Sequence, residues 1–361
     1  MSQQMQQLFE ESGLTSRHEP IDESLVYAAL REHYGLDGEL QRIDTEKDST
    51  FRLRRDTGDY LVKVSPKDEP LPVVLCQTDV IDWVQSRDPG IPVQSVLRTR
   101  DGANHRILHH ESGDYLGALR VLEFIPGTML GEATPSPSQL AQVGAMLGRV
   151  DLALQGFAHE GLGRSLVWNI AEFMTLEPLL DYEADPERRA MAEEIFALYR
   201  ERLEPVRHEL RTQVLHGDLS AFNAVVDPDS SQFLTGVIDF GDVQVNPVIF
   251  DPAVLFANHL LPAPANPWQA SRDMLVGYLE VFALSEDEIR LLAIASLARV
   301  ALRALVTNWR IVHVPERAEY LRSHAREDWA RIENTLNYGI DAGAAHLLTA
   351  RDLAKPASTN I

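Results

Sequence analysis

The chain has 361 residues, 45% hydrophobic and 24% charged, with a formal net charge of −21. The length suggests two domains or lobes and the apolar content is ample for globular cores, while the acidity argues against nucleic acid and anionic membranes, which both repel an acidic surface. A lone Cys76 excludes an intrachain disulfide and a cysteine-based metal site. No stretch is apolar and long enough to span a bilayer, and residues 1–13 lack the regions of a signal peptide, so a cytoplasmic protein is expected.

In chain order, residues 1–20 read as a loose polar leader. Asp22 can cap a helix running to Tyr34, with Leu25, Ala28, Ala29 and Leu30 as its apolar face and Gly35 as its stop. Alternation predicts strands over 39–43, 50–54 and 60–64, with Asp56 to Asp59 as a turn. A helix over 75–85 follows, then strands over 95–99, 105–108 and 118–124. From Ser138 the pattern turns helical, with Leu140, Val143, Leu147, Val150 and Leu154 on one face. A charged helix over 186–209 precedes a short apolar run. Asp251 before Pro252 reads as a helix cap, and helices are expected over 267–282, 285–306 and 318–338, the second opened by a Ser285/Glu288 capping box. Residues 355–361 are expected to be disordered.

Two apolar runs each deliver an aspartate to a loop. The first gives His216-Gly217-Asp218 with Asn223 five residues on, and the second gives Ile238-Asp239-Phe240-Gly241-Asp242. Phosphoryl transfer needs this set: one carboxylate to receive the hydroxyl proton, and an Asn with a second carboxylate to hold magnesium. Lys63, in Leu61-Val62-Lys63-Val64, sits in an apolar strand where an unpaired ammonium is costly, so it is assigned to nucleotide phosphates. The loop 45–50 would lie over those phosphates. It has no glycine, but Ser49 and Thr50 offer hydroxyls and backbone amides. His159, His208 and His216 form no metal pattern, and His216 is expected to hold the loop by hydrogen bonds.

On these motifs the chain resembles the aminoglycoside phosphotransferase and choline kinase superfamily, small-molecule kinases with a protein-kinase-like fold. Within it the chain is similar to the hydroxylysine kinase branch, where Ile-Asp-Phe-Gly-Asp is typical. The resemblance runs from about residue 22 to about 312 and implies an α+β, bilobal, protein-kinase-like fold. Residues 1–20 would be the leader, 21–124 an N-lobe with an antiparallel sheet, a helix and the nucleotide site, 125–350 a mostly helical C-lobe with the catalytic loop and acceptor pocket, and 351–361 a tail. It further implies that the Glu123 carbonyl and the Ile125 amide meet the nucleotide base at a hinge marked by Pro126-Gly127, and that Asp251 braces the catalytic loop. Asp218 would be the catalytic base, ionised at rest. Asn223 and Asp239 would hold Mg2+, and Lys63, Ser49 and Thr50 would contact ATP or GTP. Asp242 and Trp168 are candidates for the acceptor pocket, with Asn169, Asn258, His259, Trp309 and Arg310 near them.

The sequence departs from the kinase pattern at the partner of Lys63. Gln77 stands where a helix glutamate is expected, and Asp79 or Asp82 could substitute for it. The expected acceptor is a small, cationic hydroxyl compound: hydroxylysine first, then choline, ethanolamine, homoserine or an aminoglycoside. The competing expectation is a non-catalytic nucleotide-binding pseudokinase. A protein kinase is disfavoured, because no Ala-Pro-Glu follows Asp239 at the right distance.

Overall fold

Strand alternation over residues 39–123 closes one antiparallel sheet in the computed structural model, which describes residues 3–15, 21–45, 47–315, 318–324 and 326–355. Its strands are β1 (Glu39–Ile43), β2 (Ser49–Arg54), β3 (Tyr60–Val64), β4 (Arg106–His109) and β5 (Tyr115–Glu123), in the order β1-β2-β3-β5-β4. Phe51, Leu53, Val62, Val64, Leu119 and Val121 share one face and pack under Val26, Leu30 and Tyr34. Those last three come from helix α2 (Glu23–Ala29), capped by Asp22, and from the turn after it, which ends at Gly35 with φ 68°. The period of two sends the intervening residues to the other face. There Thr50 pairs with Lys63 and Lys63 with Arg120, a row across three strands. Helix α3 (Leu71–Arg87) follows β3 and buries Cys76, Val80, Ile81 and Val84 in the larger, C-terminal core. The expected strand over 95–99 does not form; residue 96 makes only an isolated bridge to Leu122.

The expected polar leader is a second correction. Residues Gln3–Glu11 form helix α1, with Met5, Leu8 and Phe9 buried in the C-terminal core. Phe9 lies 4.4 Å from Trp309, ring to ring. Burying three such side chains contributes roughly 5 kcal/mol before ordering costs, enough to dock a short helix.

Past Glu123 the chain becomes mostly helical. Helix α4 (Pro137–Leu154) opens with a Ser136/Gln139 capping box and crosses α7 (Gln269–Val281) at Gly144 and Gly277, where a Cβ on either would collide with the facing backbone. Helix α5 (Pro186–Leu198) is shorter than the charged segment suggested; a wider turn, Tyr199–Leu203, continues it. Short strands carry the motifs. β6 (Thr128–Met129), β8 (Ala224–Val226) and β9 (Leu234–Val237) form one sheet, and β7 (Thr212–Leu215) pairs with β10 (Gln244–Pro247). Helix α6 (Phe250–Ala257) starts next. Helix α8 (Glu286–His313), 28 residues long, runs past the expected end at 306 and threads the core. The expected helix over 318–338 is two, α9 (Ala318–His324) and α10 (Asp328–Tyr338), followed by α11 (Ile340–Leu348) and α12 (Ala350–Leu353). The expected tail therefore begins helical, and past Lys355 it lies outside the described residues. Among the described residues no helix is long and apolar enough to cross a membrane. The architecture is α+β and bilobal, an antiparallel sheet over a helical body.

Candidate active site

The loop after β7 is held from beneath. Gly217 has φ 82°, and a Cβ there would strike the Asp242 carbonyl, so the turn requires glycine. Asp251 accepts from the amides of His216 at 2.8 Å and Gly217 at 2.7 Å. It lies inside the first turn of α6, whose N-cap is Ile249, so its carboxylate braces the loop instead of capping its own helix. His216 is fully buried. Its Nε2 donates to the Ile238 carbonyl at 3.2 Å, and its Nδ1 accepts from the Asp218 amide at 3.3 Å. Those two bonds fix the neutral tautomer, and burial pushes the imidazole pKa down. The histidine links the two motif loops.

Asp218 is pinned on both oxygens. Oδ1 accepts from Arg299 Nη2 at 2.9 Å and Oδ2 from Asn223 Nδ2 at 2.7 Å; the same Nδ2 also reaches the Asp218 carbonyl at 2.8 Å. These bonds use the amide nitrogen of Asn223, the atom a metal does not want, and leave its carbonyl oxygen out of the contact. Burial pushes the Asp218 carboxyl up to about 7. Arg299 opposes the rise, while Asp242 and Asp239 add to it. The expectation of an aspartate ionised at rest is thus opposed by surroundings that strengthen its hold on a proton.

Asp239 differs in kind. Its φ of 61° is the only positive value on a non-glycine among the described residues. Such a conformation costs about 1–3 kcal/mol and collects at functional sites. Lys63 Nζ stands 3.5 Å from Asp239 Oδ1, and its charge holds the carboxyl below the usual range although burial acts the other way. An ionised, half-exposed oxygen donor results. Hard donors of this kind suit a hard divalent cation.

Of the expected nucleotide residues, Lys63 is brought into the site. Thr50 is 2% exposed, its hydroxyl meeting that of Thr45 at 2.9 Å, and the Ser49 hydroxyl accepts from the Ile21 amide at 3.4 Å. The loop residue that reaches Lys63 is Asp48, at 3.3 Å. Gln77 accepts from Arg120, and the alternatives are engaged elsewhere, Asp79 by Asn104 and Asp82 by Arg98. At the hinge the Glu123 carbonyl accepts from Gln94 Nε2 at 3.1 Å.

Trp168 and Asp242 line one small cavity with Asn169, Gly217 and Asp251. The Trp168 carbonyl accepts from Arg299 Nη1 at 2.5 Å, with the guanidinium 5.8 Å from its ring. Burial raises the Asp242 carboxyl, against Arg164 and Arg299. Arg164 itself donates to the Gly241 carbonyl and to Glu69. The other candidates hold local structure. Asn169 caps the segment Ile170–Tyr182 through the Ala171 amide, Trp309 is core, and Asn258 accepts from Arg303. His259 Nδ1 donates to the Leu255 carbonyl, and burial lowers its pKa to about 4.

The His259 shift has a sign that can be tested. Below about pH 6.5 the unfolded chain binds a proton that native His259 refuses until about 4. Stability from this group is full above 6.5 and is lost as pH falls through that window. In calorimetry the Tm of the wild type should drop more between pH 7 and 5 than that of His259→Gln; equal drops would remove His259 from the account.

Sequence reasoning missed Arg299, Arg120 and Asp48. The available signal for Arg299 was its place in the apolar stretch of residues 291–306, where a buried guanidinium needs an acid.

A family model described as "Phosphotransferase enzyme family" matches residues 39–283. The chain belongs to this family. The phosphotransferase acts on an alcohol group, and it is similar to hydroxylysine kinases. It is 24% identical to that of Mus musculus over 325 residues, covering 84% of this chain and 86% of the relative. It is 24% identical to that of Danio rerio over 334 residues, covering 89% and 93%. Among solved structures it resembles a microcompartment-associated aminopropanol kinase, with TM-score 0.67, 18% identity and coverage of 89% and 99%. It also resembles the amicoumacin kinase hAmiN in complex with AMP-PNP, Ca2+ and Ami, with TM-score 0.66, 16% identity and coverage of 87% and 94%. These likenesses establish the protein-kinase-like fold of the phosphotransferase.

Proposed function

We propose that the phosphotransferase moves the terminal phosphate of ATP or GTP to the hydroxyl of a small amino alcohol that also carries a carboxylate, hydroxylysine or a close analogue. The observation that carries the reading is the convergence of the Lys63–Asp239 pair with the Asp218–Asn223 pair in one cleft. Asp218 accepts the acceptor's hydroxyl proton and orients the oxygen for attack. Asn223 and Asp239 hold Mg2+, which would offset charge on the phosphate oxygens when bound. Lys63 adds positive charge at the same oxygens.

Arg299 favours the carboxylate-bearing acceptor. A site for polycations such as aminoglycosides gains from bare carboxylates, yet here a buried guanidinium sits on Asp218 and beside Trp168. Asp242 complements the amine. The sequence similarity to hydroxylysine kinases supports the same acceptor.

A nucleotide-consumption assay with Mg2+, either nucleotide and a panel of acceptors tests this. Hydroxylysine should stimulate turnover, and its decarboxylated analogue should lose at least about tenfold in kcat/KM. Nucleotide binding without turnover on any amino alcohol or aminoglycoside would favour the pseudokinase alternative.

A further inference from the structure

The face of the N-terminal sheet that looks into the cleft carries two adjacent cations, Lys63 on β3 and Arg120 on β5, paired in register. Arg120 is 2% exposed and cannot be solvated from outside. A protein kinase supplies one carboxylate to this region, from the helix that follows β3. Here that helix offers Gln77, which accepts from Arg120 Nη1 at 2.5 Å and does not meet Lys63 in any contact. The neutralising charge comes instead from the loop between β1 and β2. Asp48 Oδ2 lies 2.8 Å from Arg120 Nη2 and 3.3 Å from Lys63 Nζ, one oxygen bridging both cations. Asp48 is itself 14% exposed by side chain.

We propose that Asp48, supported by Arg120 and Gln77, is the positioning carboxylate for Lys63, replacing the helix glutamate. Gln77 steers the guanidinium, the guanidinium steers Asp48, and Asp48 steers the ammonium. Asp239 also reaches Lys63, at 3.5 Å, but the buried Arg120 guanidinium pairs with Asp48, and that pairing brings the loop down to the sheet. The arrangement also explains a loop without glycine. A glycine-rich loop reaches phosphates through a pliable backbone, whereas this one is tethered to the residue it works with.

The proposal rests on the nucleotide-binding reading above, and the test separates the two. Fluorescent ATP and GTP analogues are titrated with Mg2+ into the full chain and its variants, with Tm measured alongside. Asp48→Asn should weaken nucleotide binding at least about tenfold; Tm falls as well, because the buried Arg120 guanidinium loses its charge partner, so affinity is read on the folded variant. Adding Gln77→Glu to that variant should restore most of the affinity, by returning a carboxylate from the helix side. Arg120→Lys and Asp48→Asn should combine less than additively, as members of one network do. Unchanged or tighter binding by Asp48→Asn would overturn the proposal, since Asp48 would then merely occupy the phosphate position. Failure of Gln77→Glu to rescue would also overturn it, since the loop bond would then be only structural. Wild-type protein that bound neither nucleotide would instead defeat the kinase reading beneath it.

Discussion

Asp218→Asn is expected to lower kcat by at least about a hundredfold while nucleotide affinity stays within about threefold. The substitution removes the proton acceptor and keeps the side-chain outline. It also forces a donor against a donor, because Asp218 accepts from Arg299 on one oxygen and from Asn223 on the other. Whichever way the new amide turns, one N–H group faces another. A local cost of about 1–3 kcal/mol follows, so Tm must be read beside the kinetics. Near wild-type kcat in the folded variant would take Asp218 out of the base role.

Asp239→Asn is expected to weaken Mg2+-dependent nucleotide binding at least about a hundredfold and to leave little difference between titrations with Mg2+ and with EDTA. Asparagine is the suitable replacement because Asp239 has φ 61°, a region asparagine tolerates and alanine does not. The change therefore isolates the charge from the backbone. It also leaves Lys63 with Asp48 as its remaining partner at 3.3 Å, so the N-terminal half of the site should stay assembled. Binding that kept its full Mg2+ dependence in this variant would exclude Asp239 as a ligand.

Much of this site was legible in the chain because its parts are close in sequence. The interval from His216 to Asp242 is one local unit of strands and turns, and its spacing survives folding unchanged. Lys63 could be read because an ammonium in an alternating apolar strand contradicts its surroundings. The missing parts are pairs formed across the fold. Arg299 meets Asp218 across 81 residues and Arg120 meets Asp48 across 72. No periodicity encodes such a meeting; only the tertiary packing does. The first helix was lost for another reason. Its glutamines set the average polarity of the segment, and they masked Met5, Leu8 and Phe9, whose spacing of three and one already marks a helical stripe. The segment expected as a strand over 95–99 meets β5 only past the end of β4, where Val96 bridges Leu122, too short a pairing to make a ladder.

The stitching of the first helix has a wider consequence. Glu11 accepts from the Ser165 amide at 2.9 Å and Ser12 from the Val167 amide at 2.8 Å, in the segment just before Trp168. Arg299, which leans on that same tryptophan carbonyl, lies on α8. Both buttresses fall outside the span shared with the family, residues 39–283. The family match thus stops short of two contacts that hold the loop carrying Trp168. A recombinant fragment trimmed to residues 39–283 would forfeit both contacts and leave that loop unbuttressed.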